Sequence, residues 1–140
     1  MYKVIENYIE NSVREKLSVP LVGQKWKSET TLYNHIVSLF GKDNVIFHYR
    51  PDWLQGLEID IFIPQISLGI EYQGIQHYQP QKHWGGKEAF TKRRLSDLRK
   101  KNICIENNIN LIYFRYDEAL EINIVKERLK YYLEINNTSL

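Results

Sequence analysis

One cysteine, Cys104, stands among 140 residues, so no internal disulfide can brace the chain. No group of cysteines and histidines has the spacing of a structural zinc site either, and stability has to come from packing. Long apolar runs are also missing. Nothing approaches the roughly 18 to 20 consecutive apolar residues that span a bilayer, and the stretch MYKVIENYIENS at the amino terminus lacks an uninterrupted signal-peptide core. An intracellular, cytoplasmic protein with no membrane partner is therefore expected. Charge of one sign barely predominates: the formal net charge of +2 is too small to indicate a nucleic-acid partner by itself. Internal repeats and low-complexity tracts are absent too.

What is present is the composition of an ordinary globular protein, 43% hydrophobic, 26% charged and 13% aromatic. A chain of this length is expected to form a single domain, 1–140, burying about 68 to 70% of its unfolded surface. Residues 1–24 read as an N-terminal helix and linker outside the motif region: Ile5, Tyr8, Ile9, Val13 and Leu17 fall near helical spacing, and Pro20 and Gly23 close the segment. That helix would pack on the core or on a second copy. A second helix is expected from Ser28, a good N-cap, to Phe40, with Gly41 ending it. Strands follow at 44–49, 57–63 and 66–73, the last two joined at Pro64-Gln65. A polar loop over 74–86 leads to a helix at 87–107, a buried strand at 110–116 and a helix at 118–134, with 136–140 expected to fray. The order is ααβββαβα, an α/β fold.

The hairpin carries the chemistry. Side chains alternate along a strand, so Ile59, Ile61 and Ile63 share one face while Glu58, Asp60 and Phe62 share the other. A tight turn at Pro64-Gln65 sets Asp60 across from Gly69 and Glu58 across from Glu71. Asp60 and Glu71 then become diagonal neighbours about 7 to 8 Å apart, with Gly69 leaving space above Asp60. Pro-Gln is not a preferred two-residue hairpin turn, which leaves a longer loop open. Like charges placed together on a sheet cost stability, and hard divalent ions require carboxylate oxygens, so an ion such as Mg²⁺ gives the pair a physical reason. An acidic solvent face is the plainer alternative.

Glu58-Ile59-Asp60 followed by Gly69-Ile70-Glu71-Tyr72-Gln73 resembles the D…ExK core of the PD-(D/E)XK nuclease superfamily. The following Gly74-Ile75-Gln76-His77-Tyr78 is similar to the branch holding the very short patch repair endonucleases and the EDxHD homing endonucleases. Glu29, Asp60, His77 and Asp97 match the EDxHD pattern in order, and the resemblance extends over residues 28–116. It implies a restriction-endonuclease-like three-layer core, a central mixed sheet flanked by helices. It also implies a metal-dependent endonuclease acting on DNA, with Asp60 and Glu71 holding Mg²⁺ or Mn²⁺ and His77 assisting the attacking water. Asp97 would fix the imidazole or bind metal, and Glu29 would position water or support another ion. Gln73 departs from the pattern, standing where the superfamily has a lysine; an amide can orient water but supplies no positive charge.

A basic segment offers the DNA contact, because lysine and arginine neutralising phosphates supply most non-specific affinity. Its expected contributors are Lys82, Lys87, Lys92, Arg93, Arg94, Lys100 and Lys101, with Trp84 as a wedge into the base stack by resemblance to the repair enzymes. Plainer readings stand beside these. Glu29 close to an N-cap would favour the helix dipole, and Asp97 would pair with neighbouring arginines or lysines along its helix. The rival functions are a nuclease-fold DNA-binding or assembly module with weak or no catalysis, an RNA nuclease, or a nuclease subunit that needs a separate specificity partner.

Overall fold

The computed structural model describes residues 24–80 and 85–135; the expected first helix, the fraying tail, Lys82 and Trp84 lie outside them. The described elements are α1 (Gln24–Phe40), β1 (Ile46–Tyr49), β2 (Ile59–Ile63), β3 (Leu68–Gln73), α2 (Gly86–Glu106), β4 (Asn110–Arg115) and α3 (Ile122–Ile135). One mixed sheet runs β1-β2-β3-β4. The first three strands are antiparallel and β4 lies parallel to β3, so α2 forms the crossover that a parallel pair requires.

The sheet separates two cores. On one face Leu32 and Ile36 of α1 and Val125, Leu129 and Leu133 of α3 meet Ile61, Ile63, Leu68, Ile70, Tyr72, Ile112 and Phe114. The four-residue spacing within each helix keeps these side chains on one stripe. On the other face Ile103 and Cys104 of α2 meet Leu54, Ile59 and Phe62, a much smaller cluster. The result is an α/β arrangement with helices on both sides of the sheet. Among the described residues no helix is long and apolar enough to cross a membrane.

Three local expectations are corrected. α1 begins at Gln24, so Ser28 lies inside the helix instead of capping it, and Glu29 is not a first-turn carboxylate. The buried stripe of Leu32 and Ile36 extends back to Glu29, which is 5% exposed. α3 starts at Ile122, because Glu118 is engaged elsewhere, accepting from the Arg115 amide and from Arg128. The hairpin loop is longer than two residues: Pro64–Ile66 forms a 3-10 turn and Ser67 follows in the left-handed region at φ 49°. Ile61 therefore pairs with Ile70 and Phe62 with Gly69, two residues away from the tight-turn register.

That shift changes what faces what. Continuing the register one step beyond Ile61 and Ile70 sets Asp60 directly opposite Glu71. Gly69 lies across from Phe62 instead of Asp60; a Cβ there would come within 2.8 Å of Leu111 Cδ1 and 3.2 Å of Ile59 Cγ2. The glycine is needed for close packing on the α2 side of the sheet, not to open space over Asp60.

The simple alternation also fails at this point. Ile59 joins Phe62 in the α2-side core, while Ile61 and Ile63 belong to the other. β1 changes face in step: Phe47 packs on the larger core, but Tyr49 stacks on Phe62 with ring centroids 4.4 Å apart. Between them His48 has φ 56°, an unusual backbone for a residue with a side chain. Both strands switch faces at one place, and Asp60 there belongs to neither core.

Candidate functional site

The β2–β3 ladder gives way beyond Ile61 and Ile70, and the two carboxylates take over its hydrogen bonds. The Asp60 amide donates to Glu71 Oε2 at 3.0 Å, and the Tyr72 amide donates to Asp60 Oδ2 at 2.9 Å. Each acid thus caps the other strand, which fixes both side chains at the mouth of the hairpin. A cleft of about 190 Å³ opens there, lined by Glu58, Asp60, Glu71, Tyr72, Gln73, His77 and Lys100.

Lys100 reaches into this cleft from α2 and donates from Nζ to Glu71 Oε1. Sequence reasoning placed it among DNA-contacting surface cations; its side chain is only 15% exposed and sits inside the site. Lys100 thus brings a positive charge from α2 into the cleft that Gln73 also lines. Burial and the adjacent Asp60 push the Glu71 carboxyl up to about 8, with Lys100 pulling the other way. Burial alone would lower Lys100, but Glu71 reverses that and keeps the ammonium charged.

His77 sits in a 3-10 turn directly after β3, and its Nδ1 lies 2.8 Å from Asp97 Oδ2 on α2. With Nδ1 as the donor, Asp97 fixes the ring and leaves Nε2 as the basic nitrogen. Gln73 is held by the Tyr78 hydroxyl, which donates to Oε1 at 2.6 Å, and Arg115 lies 4.1 Å above the Tyr78 ring. A second hollow of about 400 Å³ adjoins the first, lined in part by His77, Tyr113 and the α2 residues Arg94, Asp97, Leu98 and Lys101. Burial, followed by the charge on Glu71, pushes Tyr113 up to about 12, so its hydroxyl remains a proton donor.

Glu29 reaches Asp60 from the opposite side. Glu29, His48 and Asp60 each offer a ligand atom within 4.8 Å of the others. His48 Nε2 is 3.5 Å from Glu29 Oε1, and Nδ1 is 3.2 Å from Glu58 Oε2. Arg50 donates to the other Glu58 oxygen at 3.0 Å. Burial would raise Glu58, but the hydrogen bonds from Arg50 and His48 hold it below its usual range.

Asp60, Glu71, Gln73 and His77 thus converge on one cleft, Asp97 stands behind His77 in the adjoining hollow, and Glu29 meets Asp60 on the α1 side. Arg94 and Lys101 border the second hollow, and Lys87 and Lys92 are exposed further along α2. Arg93 is partly buried. His48 and Tyr78 were not expected at the site, and Lys100 was expected only as a DNA contact. No motif marks His48 or Lys100, though Lys100 follows Asp97 by three residues and so shares its side of the helix. The donor set suits a hard divalent ion: Asp60 retains Oδ1 and Glu71 offers Oε1, shared with a lysine that can turn away.

No family model matches the chain, and no solved structure matches it. Among curated proteins it is similar to protein 307L of Invertebrate iridescent virus 6, 38% identical over 48% of this chain and 40% of the relative. It is likewise similar to protein 033L of Invertebrate iridescent virus 3, 38% identical over 55% of this chain and 40% of that protein. Protein 094L of Frog virus 3 is 35% identical over 48% and 44%. All three are described as uncharacterized, and the chain spans about two fifths of their length.

Proposed function

We propose that the chain is a divalent-metal-dependent endonuclease that hydrolyses DNA phosphodiester bonds on a restriction-endonuclease-like core. The observation that carries this reading is the meeting of Asp60 and Glu71 at the hairpin mouth with His77 and Lys100 around one open cleft, His77 being backed by Asp97. Asp60 and Glu71 would hold Mg²⁺ or Mn²⁺, which when bound neutralises phosphate charge and acidifies coordinated water. His77 Nε2 takes the proton of the attacking water, and Asp97 balances the imidazolium that results. Lys100 supplies the cation that Gln73 lacks, stabilising negative charge that builds on the phosphate oxygens. Gln73, held by Tyr78, orients water through its amide. Arg94 and Lys101 beside the cleft give the flanking phosphates a basic surface.

A second reading, a nuclease-fold DNA-binding or assembly module without catalysis, is favoured by one observation. Both Glu71 oxygens are engaged, one by the Asp60 amide and one by Lys100. Cleavage assays separate the two. Supercoiled plasmid, single-stranded DNA and RNA are incubated with the chain in Mg²⁺ or Mn²⁺, alongside Asp60→Asn. We expect chelator-sensitive cleavage of DNA that slows by about 10²- to 10³-fold in the variant, the usual cost of removing one charge-stabilising group. Products that are the same for both proteins on every substrate would refute the hydrolytic role.

A further inference from the structure

We propose that Glu29, His48 and Asp60 form a second divalent-cation site, on the α1 side of Asp60, that takes a nitrogen-accepting transition ion such as Mn²⁺ or Zn²⁺ in preference to Mg²⁺. It goes beyond the hydrolytic reading and does not need it to hold.

The geometry is that of a ligand set. One atom from each of the three side chains lies within 4.8 Å of the others. Two ligands at about 2.1 Å from an ion in tetrahedral disposition are about 3.4 Å apart, and Glu29 Oε1 stands 3.5 Å from His48 Nε2. The surrounding groups orient the imidazole as metal-binding histidines are oriented. Nδ1 lies 3.2 Å from Glu58 Oε2, so a proton there is donated to a carboxylate and the Nε2 lone pair points at Glu29. Arg50 in turn fixes Glu58 from its other oxygen. This chain, Arg50 to Glu58 to His48, has no counterpart at Asp60 and Glu71, where the carboxylates are held by backbone amides.

The fold brings the imidazole there by breaking a strand. At φ 56°, His48 interrupts the alternation of β1 at the residue across from Asp60, and its ring lies against Glu29 of α1. The Glu29 side chain is 7% exposed and the His48 side chain 42%. The site therefore has a buried carboxylate wall and an open side where water can complete the coordination. An imidazole nitrogen in the set favours transition ions, whereas Mg²⁺ prefers an all-oxygen shell and sheds its water reluctantly.

Mn²⁺ titration of the full chain, read by electron spin-echo modulation for coupling to a directly bound ¹⁴N, tests this without any substrate. Wild type should show imidazole coupling. His48→Asn, which suits a left-handed backbone, should lose it and bind Mn²⁺ more than about tenfold more weakly. Glu58→Gln should weaken Mn²⁺ by about 10- to 100-fold, as loss of an orienting carboxylate does. Glu71→Gln, which removes no ligand of this site, should keep the coupling. No ¹⁴N coupling in wild type, or coupling that persists in His48→Asn, would overturn the proposal. Because the readout is a nitrogen contact, a chain that cleaves no nucleic acid can still satisfy it. A chain that cleaves with Mg²⁺ but shows no coupling refutes this site alone.

Discussion

The two faces of the sheet are unequal. Among the described residues, the core on the side of α1 and α3 holds fourteen buried residues, and the core on the side of α2 holds five. Along α2 only Ile103 and Cys104 are buried, while Leu95 and Leu98 stay more than half exposed. The first face does the work of stability, and the second is left with room for Lys100, Asp97 and the carboxylates of the hairpin. Buried charges cost free energy unless they are paired and hydrogen-bonded. A thick core on one side lets the chain remain folded while the other side carries them.

Truncating the thick face should have the largest effect. Phe114→Ala removes a wholly buried ring and should lower the unfolding free energy by about 3 to 5 kcal/mol in urea denaturation. A loss under about 1 kcal/mol would mean that stability is spread evenly over both faces.

Next comes the pH dependence of the thin face. The Glu71 carboxyl titrates near 8 in the folded protein, above its ordinary 4.5, so the folded state binds the extra proton between those values. Its contribution to stability is fully present below about 4.5 and is lost as pH rises through about 8. Without divalent ions, urea denaturation should therefore give lower stability at pH 8 than at pH 5, and Mg²⁺ should flatten that decline by favouring the ionised carboxylate. A Glu71→Gln variant with the same decline would assign it to other groups.

The smallest of these effects tests how tightly the thin face is packed. Gly69→Ala forces a methyl against Leu111 and Ile59 and should cost about 1 to 3 kcal/mol. Unchanged thermal unfolding would show that the α2 side yields more easily than its contacts suggest.

Much of this arrangement is legible from sequence because it depends on local pattern. The order of elements from α1 to α3 follows from apolar spacing and breakers, and the acids of the hairpin stand out in an isoleucine-rich run. The pairing of Asp60 with Glu71 was misplaced by two residues because Pro64–Ile66 forms a 3-10 turn, which a strand pattern does not reveal. Periodicity also assumes an unbroken strand, and β1 breaks at His48, level with the place in β2 where Ile59 lies on the face opposite to Ile61. His48 and Lys100 are separated from Asp60 by 12 and 40 positions in the chain, and only the sheet register and the packing of α2 bring them to it.

The central claim is that Asp60 and Glu71 together hold the ion, with Lys100 giving way. A crystal grown with Mn²⁺ and a short DNA duplex, examined by anomalous diffraction, measures this directly. We expect an anomalous peak at bonding distance from both Asp60 and Glu71, with Lys100 turned from Glu71 toward a phosphate. A duplex bound in the cleft with Lys100 still on Glu71, and no peak between the two carboxylates, would contradict it.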